Sequence, residues 1–126
     1  MHNNPWIVDI LLVLWNADPR TGMIEGELVW NLRILRHKPG VKRPEAFDAT
    51  VRSCINHHTS QSAEWIKDGR RPENDILYSP KGKGSGTWAI KSRDRAIAKI
   101  IASLRITPEQ LAAAVAEARE KLRKKP

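Results

Sequence analysis

Residues 75–95 read DILYSPKGKGSGTWAIKSRDR: an apolar run from Ile76 to Tyr78, a lysine- and glycine-rich tip from Ser79 to Gly86, and a second apolar run from Thr87 to Ile90. Alternation and β-forming residues in the two runs predict antiparallel strands joined by an extended loop. Ile76, Leu77, Trp88 and Ile90 are expected to hold this hairpin on a core. The glycines invite a phosphate-loop reading, but a Walker A sequence sets GxxxxGK[ST] between a strand and a helix. No Gly-Lys followed by Ser or Thr occurs in the chain. Two readings of the tip stand: a loop that contacts a polyanion through its lysines, and a solvated turn with no ligand.

Immediately upstream, the loop from Asp68 to Asp75 is polar and turn-rich, and before it EAFDATVRSCINHHTSQ (residues 45–61) predicts a helix starting at Pro44 or Glu45. Phe47, Val51, Cys54 or Ile55, and His58 fall on one face of that helix, with Arg52, Asn56, His57, Thr59, Ser60 and Gln61 on the other. Its polar side carries hydrogen-bonding groups rather than Glu/Lys pairs, and these are the donors and acceptors that base-edge readout requires.

Towards the N-terminus, Pro5 suits a first helical turn, and Trp6, Ile7, Ile10, Leu11, Leu14 and Trp15 recur at helical spacing with Asp9 pointing away. Asp18 to Gly22 is a turn, and Met23 and Ile24 make a very short strand. A second helix follows, with Leu28, Val29, Leu32 and Leu35 as its apolar stripe and Arg33 and Arg36 outside it. HKPGVKRP (residues 37–44) is a loop, since two prolines and a glycine end the helix. Beyond the hairpin, Ser92 caps a helix carrying Ala96, Ile97, Ile100, Ile101 and Leu104. Thr107, Pro108 and Gln110 are the cap, first-turn proline and capping-box residue of a last, alanine-rich helix.

The 126 residues suit one principal domain, and the net charge of +8 is unevenly placed. Residues 1–30 hold Arg20 against Asp9, Asp18, Glu25 and Glu27, a balance of −3, so the remainder carries +11. Such asymmetry favours a polyanionic partner, of which nucleic acid is the commonest in a cell. The single cysteine, Cys54, excludes an internal disulfide and fits a reducing compartment. The apolar run from Trp6 to Trp15 is interrupted by Asp9 and too short to span a bilayer. A cytoplasmic protein is expected, nucleoid-associated in a bacterium, with no membrane partner.

The order helix, short strand, helix, loop, helix, strand, basic loop, strand, helix is α+β. It resembles the winged helix-turn-helix superfamily, in which three helices pack on a small antiparallel sheet with a basic wing. MIEGELVWNLRI, FDATVRSCINHH, and DILYSP followed by GTWAIK look like the pattern of HARE-type and forkhead-like winged helices. The resemblance covers about residues 5–92. It implies a winged-helix DNA-binding domain over residues 1–92 and a C-terminal extension of one or two helices over residues 93–126. It further implies sequence- or structure-specific binding of double-stranded DNA by a regulator or accessory recognition module, with the third helix in the major groove and the wing on the backbone. Arg52, Asn56, His57, Ser60 and Gln61 are then the base-reading candidates. Lys81, Lys83 and Ser85 of the wing, with Arg70, Arg71, Arg33 and Arg36, are the backbone candidates. The long loop from Ala63 to Asn74 departs from the closest patterns.

The same residues admit other readings. A reader of methylated DNA would use a spare aromatic such as Trp65, whose other reading is a core or loop anchor. A protein-interaction module would use the acidic N-terminal segment. Trp6, Trp15 and Trp30 read as core fillers. Cys54, His57 and His58 lack the further ligands of a closed zinc site, so neither metal nor cofactor is expected. No paired carboxylates or triad suggest an enzyme. Surplus apolar residues after position 92, among them Ile97, Ile101, Leu111 and Val115, suggest a homodimer through the C-terminal helices.

Overall fold

The structure is a computed structural model and describes residues 4–36 and 46–124. Among the described residues it is α+β, with six α-helices and a small antiparallel sheet. Helix α1 spans Trp6–Leu14, strand β1 Met23–Ile24, α2 Glu25–Leu35, α3 Phe47–Asn56 and α4 Ala63–Lys67. A single 3-10 turn at Pro72–Asn74 leads to β2 (Leu77–Tyr78) and β3 (Thr87–Ile90), followed by α5 (Arg93–Leu104) and α6 (Pro108–Arg123). The sheet order is β1-β3-β2, so the last strand lies in the middle. Met23 pairs with Trp88 and Leu77 with Ile90.

Every residue from Ile7 to Leu14 is buried, because α1 is apolar almost all round and occupies the centre of the molecule. It packs against α2, α3, α5, α6 and β3. The exception in its sequence is Asp9, which was expected to face outward. It is buried instead, and its carboxylate meets Arg36 Nη1 at 2.6 Å, both side chains being less than one-tenth exposed. Arg36 stacks 3.9 Å above the Trp6 ring and donates to the Asn4 carbonyl at 2.9 Å. Trp6 in turn meets Phe47 edge-on, with ring centroids 5.0 Å apart.

Ala96 and Ile100 of α5 and Leu111 and Ala118 of α6 join the same core as Leu28, Leu32, Val51 and Ile55. Ile97, Ile101, Leu104, Val115 and Leu122 pack against it. The apolar residues that suggested a dimer are therefore used inside the molecule, and residues 93–124 fold back on the part before them. Ser92 accepts from the Arg95 amide, and Thr107 and Gln110 form the reciprocal capping box. Trp30 is not a core filler: it is half exposed, as is Ile24 at the sheet edge.

The base of the hairpin is fastened to the turn that precedes β1. Tyr78 donates its hydroxyl hydrogen to the Pro19 carbonyl. Gly22 has φ +72°, and a Cβ there would lie 2.8 Å from Pro80 Cγ and 2.9 Å from the Trp88 carbonyl oxygen. Gly22→Ala is expected to destabilise the protein by more than about 2 kcal/mol, since left-handed backbone and overpacking costs combine. Urea unfolding checks this, and an unchanged midpoint contradicts it.

Candidate nucleic-acid interface

Helix α3 is shorter than its sequence suggests. It ends at Asn56, and residues 57–62 form turns. The Ser62 hydroxyl closes them by donating to the Asn56 carbonyl and, at 3.1 Å, to that of Thr59, while capping α4 through the Trp65 amide. Ser60 and Gln61 thus lie beyond the helix, and Thr59, expected on its polar side, is buried. The start expected at Pro44 or Glu45, and the loop over residues 37–44, lie outside the described residues.

A cleft of about 410 Å³ opens between the C-terminal half of α3 and the hairpin. Arg52 and Asn56 line it from α3, Thr59, Gln61 and Ser62 from the turns, and Lys83, Gly84 and Gly86 from the hairpin tip. Trp88, Glu25 and Glu64 also line it. Three of the sequence-derived base-reading candidates, Arg52, Asn56 and Gln61, and one wing lysine therefore share a surface. Gln61 also has a structural duty: its carbonyl oxygen accepts from the Ser79 amide at 2.8 Å, which pins the start of the hairpin loop. Arg52 donates to Glu25 at 3.1 Å while staying largely exposed.

The other candidates are placed differently. His57 Nδ1 donates to Asp68 at 2.5 Å, tying the end of α3 to the end of α4. The Ser60 amide donates to Asp75 at 2.9 Å, and its hydroxyl accepts from Lys91 Nζ at 3.2 Å, so Ser60 serves a polar cluster under the hairpin. The Ser85 hydroxyl pairs with that of Thr87 at 2.8 Å, an internal contact of the tip. Arg33 is half-buried against Phe47 and pairs with Asp48 at 2.9 Å. Arg36, buried on Asp9 and Trp6, is a correction to the backbone candidates, because its guanidinium is not presented to solvent.

Lys81 and Lys83 are exposed, as are Arg70, Arg71 and Lys67, and none of the five side chains has an ion-pair partner among the described residues. Lys67 lies on α4, a helix in the stretch expected to be loop; Ser62 as a cap before Ala63-Glu64-Trp65 is the local signal that marks it. Trp65 is a loop anchor: its indole Nε1 donates to the Arg71 carbonyl at 2.9 Å, and it does not line the cleft. The aromatic at the cleft is Trp88, whose Nε1 is shut off from solvent and has no hydrogen-bond acceptor among the described residues.

Beneath the hairpin, Asp75 accepts from Lys91 Nζ at 2.6 Å and from Ser60, while Arg95 bonds its carbonyl at 3.0 Å. Burial alone would raise the Asp75 carboxyl, but the Lys91 and Ser60 hydrogen bonds outweigh it and hold the carboxyl below its ordinary value of 3.8. A depressed folded-state value means that the stabilisation is full above the unfolded value and disappears as pH falls through the folded one. Asp75→Asn is therefore expected to lower the urea midpoint at pH 7, with the deficit shrinking below about pH 4. A deficit constant from neutral to strongly acidic pH contradicts this.

Cys54 and His58 face inward. Burial pushes the Cys54 thiol up to about 11, against the pull of Arg36 and Lys99. Burial also lowers His58, which donates through Nδ1 to the Cys54 carbonyl at 2.7 Å. A neutral thiol and a neutral imidazole are structural here, and neither is set up as a nucleophile. No described helix is long and apolar enough to cross a membrane. Compared with known proteins, the chain matches no family model, no curated protein and no solved structure.

Proposed function

We propose that this chain is a winged-helix DNA-binding protein that holds double-stranded DNA on the surface shared by α3 and the β2–β3 hairpin, and that it is not an enzyme. In this reading helices α1 to α3 with the β1-β3-β2 sheet serve as the winged-helix core, and the Ser79–Gly86 loop serves as its wing; the element order and the central place of β3 support it. The observation that carries the reading is the joint surface: Arg52 and Asn56 of α3 lie in one cleft with Lys83 and the wing glycines. A duplex seated there meets amide and guanidinium groups on the helix and ammonium groups on the wing, the division between base contacts and backbone contacts that duplex readers use. Lys81, Arg70 and Arg71 add positive charge without carboxylate partners among the described residues. Titrating a labelled duplex with the protein over a salt series tests the reading, since phosphate contacts release counterions and weaken as salt rises.

A second reading, an interaction module for proteins, is favoured by Ile24 and Trp30, both at least half exposed beside the acidic start of α2. Charge reversal in the wing separates the two, because a protein-binding α2 surface is indifferent to it.

A further inference from the structure

We propose that the cleft between α3 and the wing is a nucleobase site, which takes a single unpaired base of the DNA held on the surrounding surface. This rests on the DNA-binding reading. Charge is the first reason. Arg52 and Lys83 in the cleft are balanced by Glu25 and Glu64, so the recess is formally neutral while the wing outside it is cationic. A phosphate belongs on the wing, and a neutral polar group belongs in the recess.

Lining chemistry is the second reason. The walls combine one indole, Trp88, with the carboxamides of Asn56 and Gln61 and the hydroxyl-bearing Thr59, Ser62 and Ser79. The Asn56 carboxamide has no partner among the described residues, so it offers both a donor and an acceptor. Gln61 has its oxygen committed to the Ser79 amide, which leaves its amino group as a donor of fixed orientation. A donor and acceptor pair in a recess that an indole also lines suits the Watson–Crick edge and the ring of a base. At about 410 Å³ the cleft is of small-molecule size.

Access is the third. Gly84 and Gly86, with φ of +85° and +76°, form the wing side of the cleft, and a Cβ at either would meet nothing within 4 Å. The open, side-chain-free backbone there lets a sugar–phosphate strand approach while its base turns inward.

Extruding a paired base costs free energy that an unpaired base does not require. A duplex of about 20 base pairs carrying one unpaired adenine is therefore expected to bind about ten-fold tighter than the same duplex fully paired, at equal salt. Asn56→Ala and, as a nearly isosteric second variant that removes the amide donors, Asn56→Asp are each expected to bring that ratio towards one. Equal affinity of the wild type for the two duplexes, or a ratio retained in both variants, overturns the nucleobase site and leaves duplex binding standing. Failure to bind either duplex at low salt overturns both.

Discussion

Arg36→Met is expected to cost about 3–5 kcal/mol of stability, the largest effect of any single substitution considered. The guanidinium and the Asp9 carboxylate, 2.6 Å apart, are 8% and 6% exposed, so removing one leaves the other charge buried. Among the described side chains, Asp9 would retain only the Asn4 carboxamide at 3.0 Å. The stacked contact with Trp6 would go as well, adding to the loss. Replacing both partners tells a different story, because a buried ion pair is often no more stabilising than apolar residues of the same volume. Arg36→Met combined with Asp9→Leu is expected to recover most of the loss. Urea unfolding of wild type, single and double variants measures both, and a single-variant loss below about 1 kcal/mol, the scale of an exposed pair, contradicts the burial.

Lys81→Glu combined with Lys83→Glu is expected to weaken duplex binding about 100-fold at low salt. A hydrogen bond to a charged group contributes about 1.5–3 kcal/mol, and two such contacts at the lower end of that range, about 3 kcal/mol, convert to roughly that factor before repulsion is added. Both side chains are exposed and make no ion pair among the described residues, so the thermal unfolding midpoint should stay where it is. Unaltered affinity in a folded variant would remove the wing from the interface and favour the protein-binding reading of α2.

The hairpin was legible because its signals are local. Alternation pointed to strands at Ile76–Tyr78 and Thr87–Ile90, against Leu77–Tyr78 and Thr87–Ile90 in the structure, and the glycines marked the loop between them. The caps at Ser92 and Thr107 were legible for the same reason, since a cap hydroxyl reaches an amide only three residues on. Asp9 was misread because periodicity treats one helix at a time, whereas its partner sits 27 residues later on α2. Trp30 was misread because a helix stripe alone does not say how far around the helix its neighbours reach.

The site divides along the same line. Asn56 and Lys83 are singled out by residue type and position, and both line the cleft. Ser60, His57 and Arg36 have equally suitable side chains, but Asp75, Asp68 and Asp9, each distant in sequence, engage them. Which tryptophan faces the cleft follows from the pairing of Trp88 with Met23 and from the attachment of Trp65 to Arg71, neither of which a local pattern encodes.

The most direct test is the affinity of the wild-type chain for an unmodified, fully paired duplex between about 50 and 200 mM salt. With Lys81, Lys83, Arg70 and Arg71 on phosphates, the logarithm of the association constant should fall linearly with the logarithm of salt, with a slope of about −3 to −4. Absence of binding at the lowest salt, or a slope near zero, would contradict the assignment of this surface to DNA.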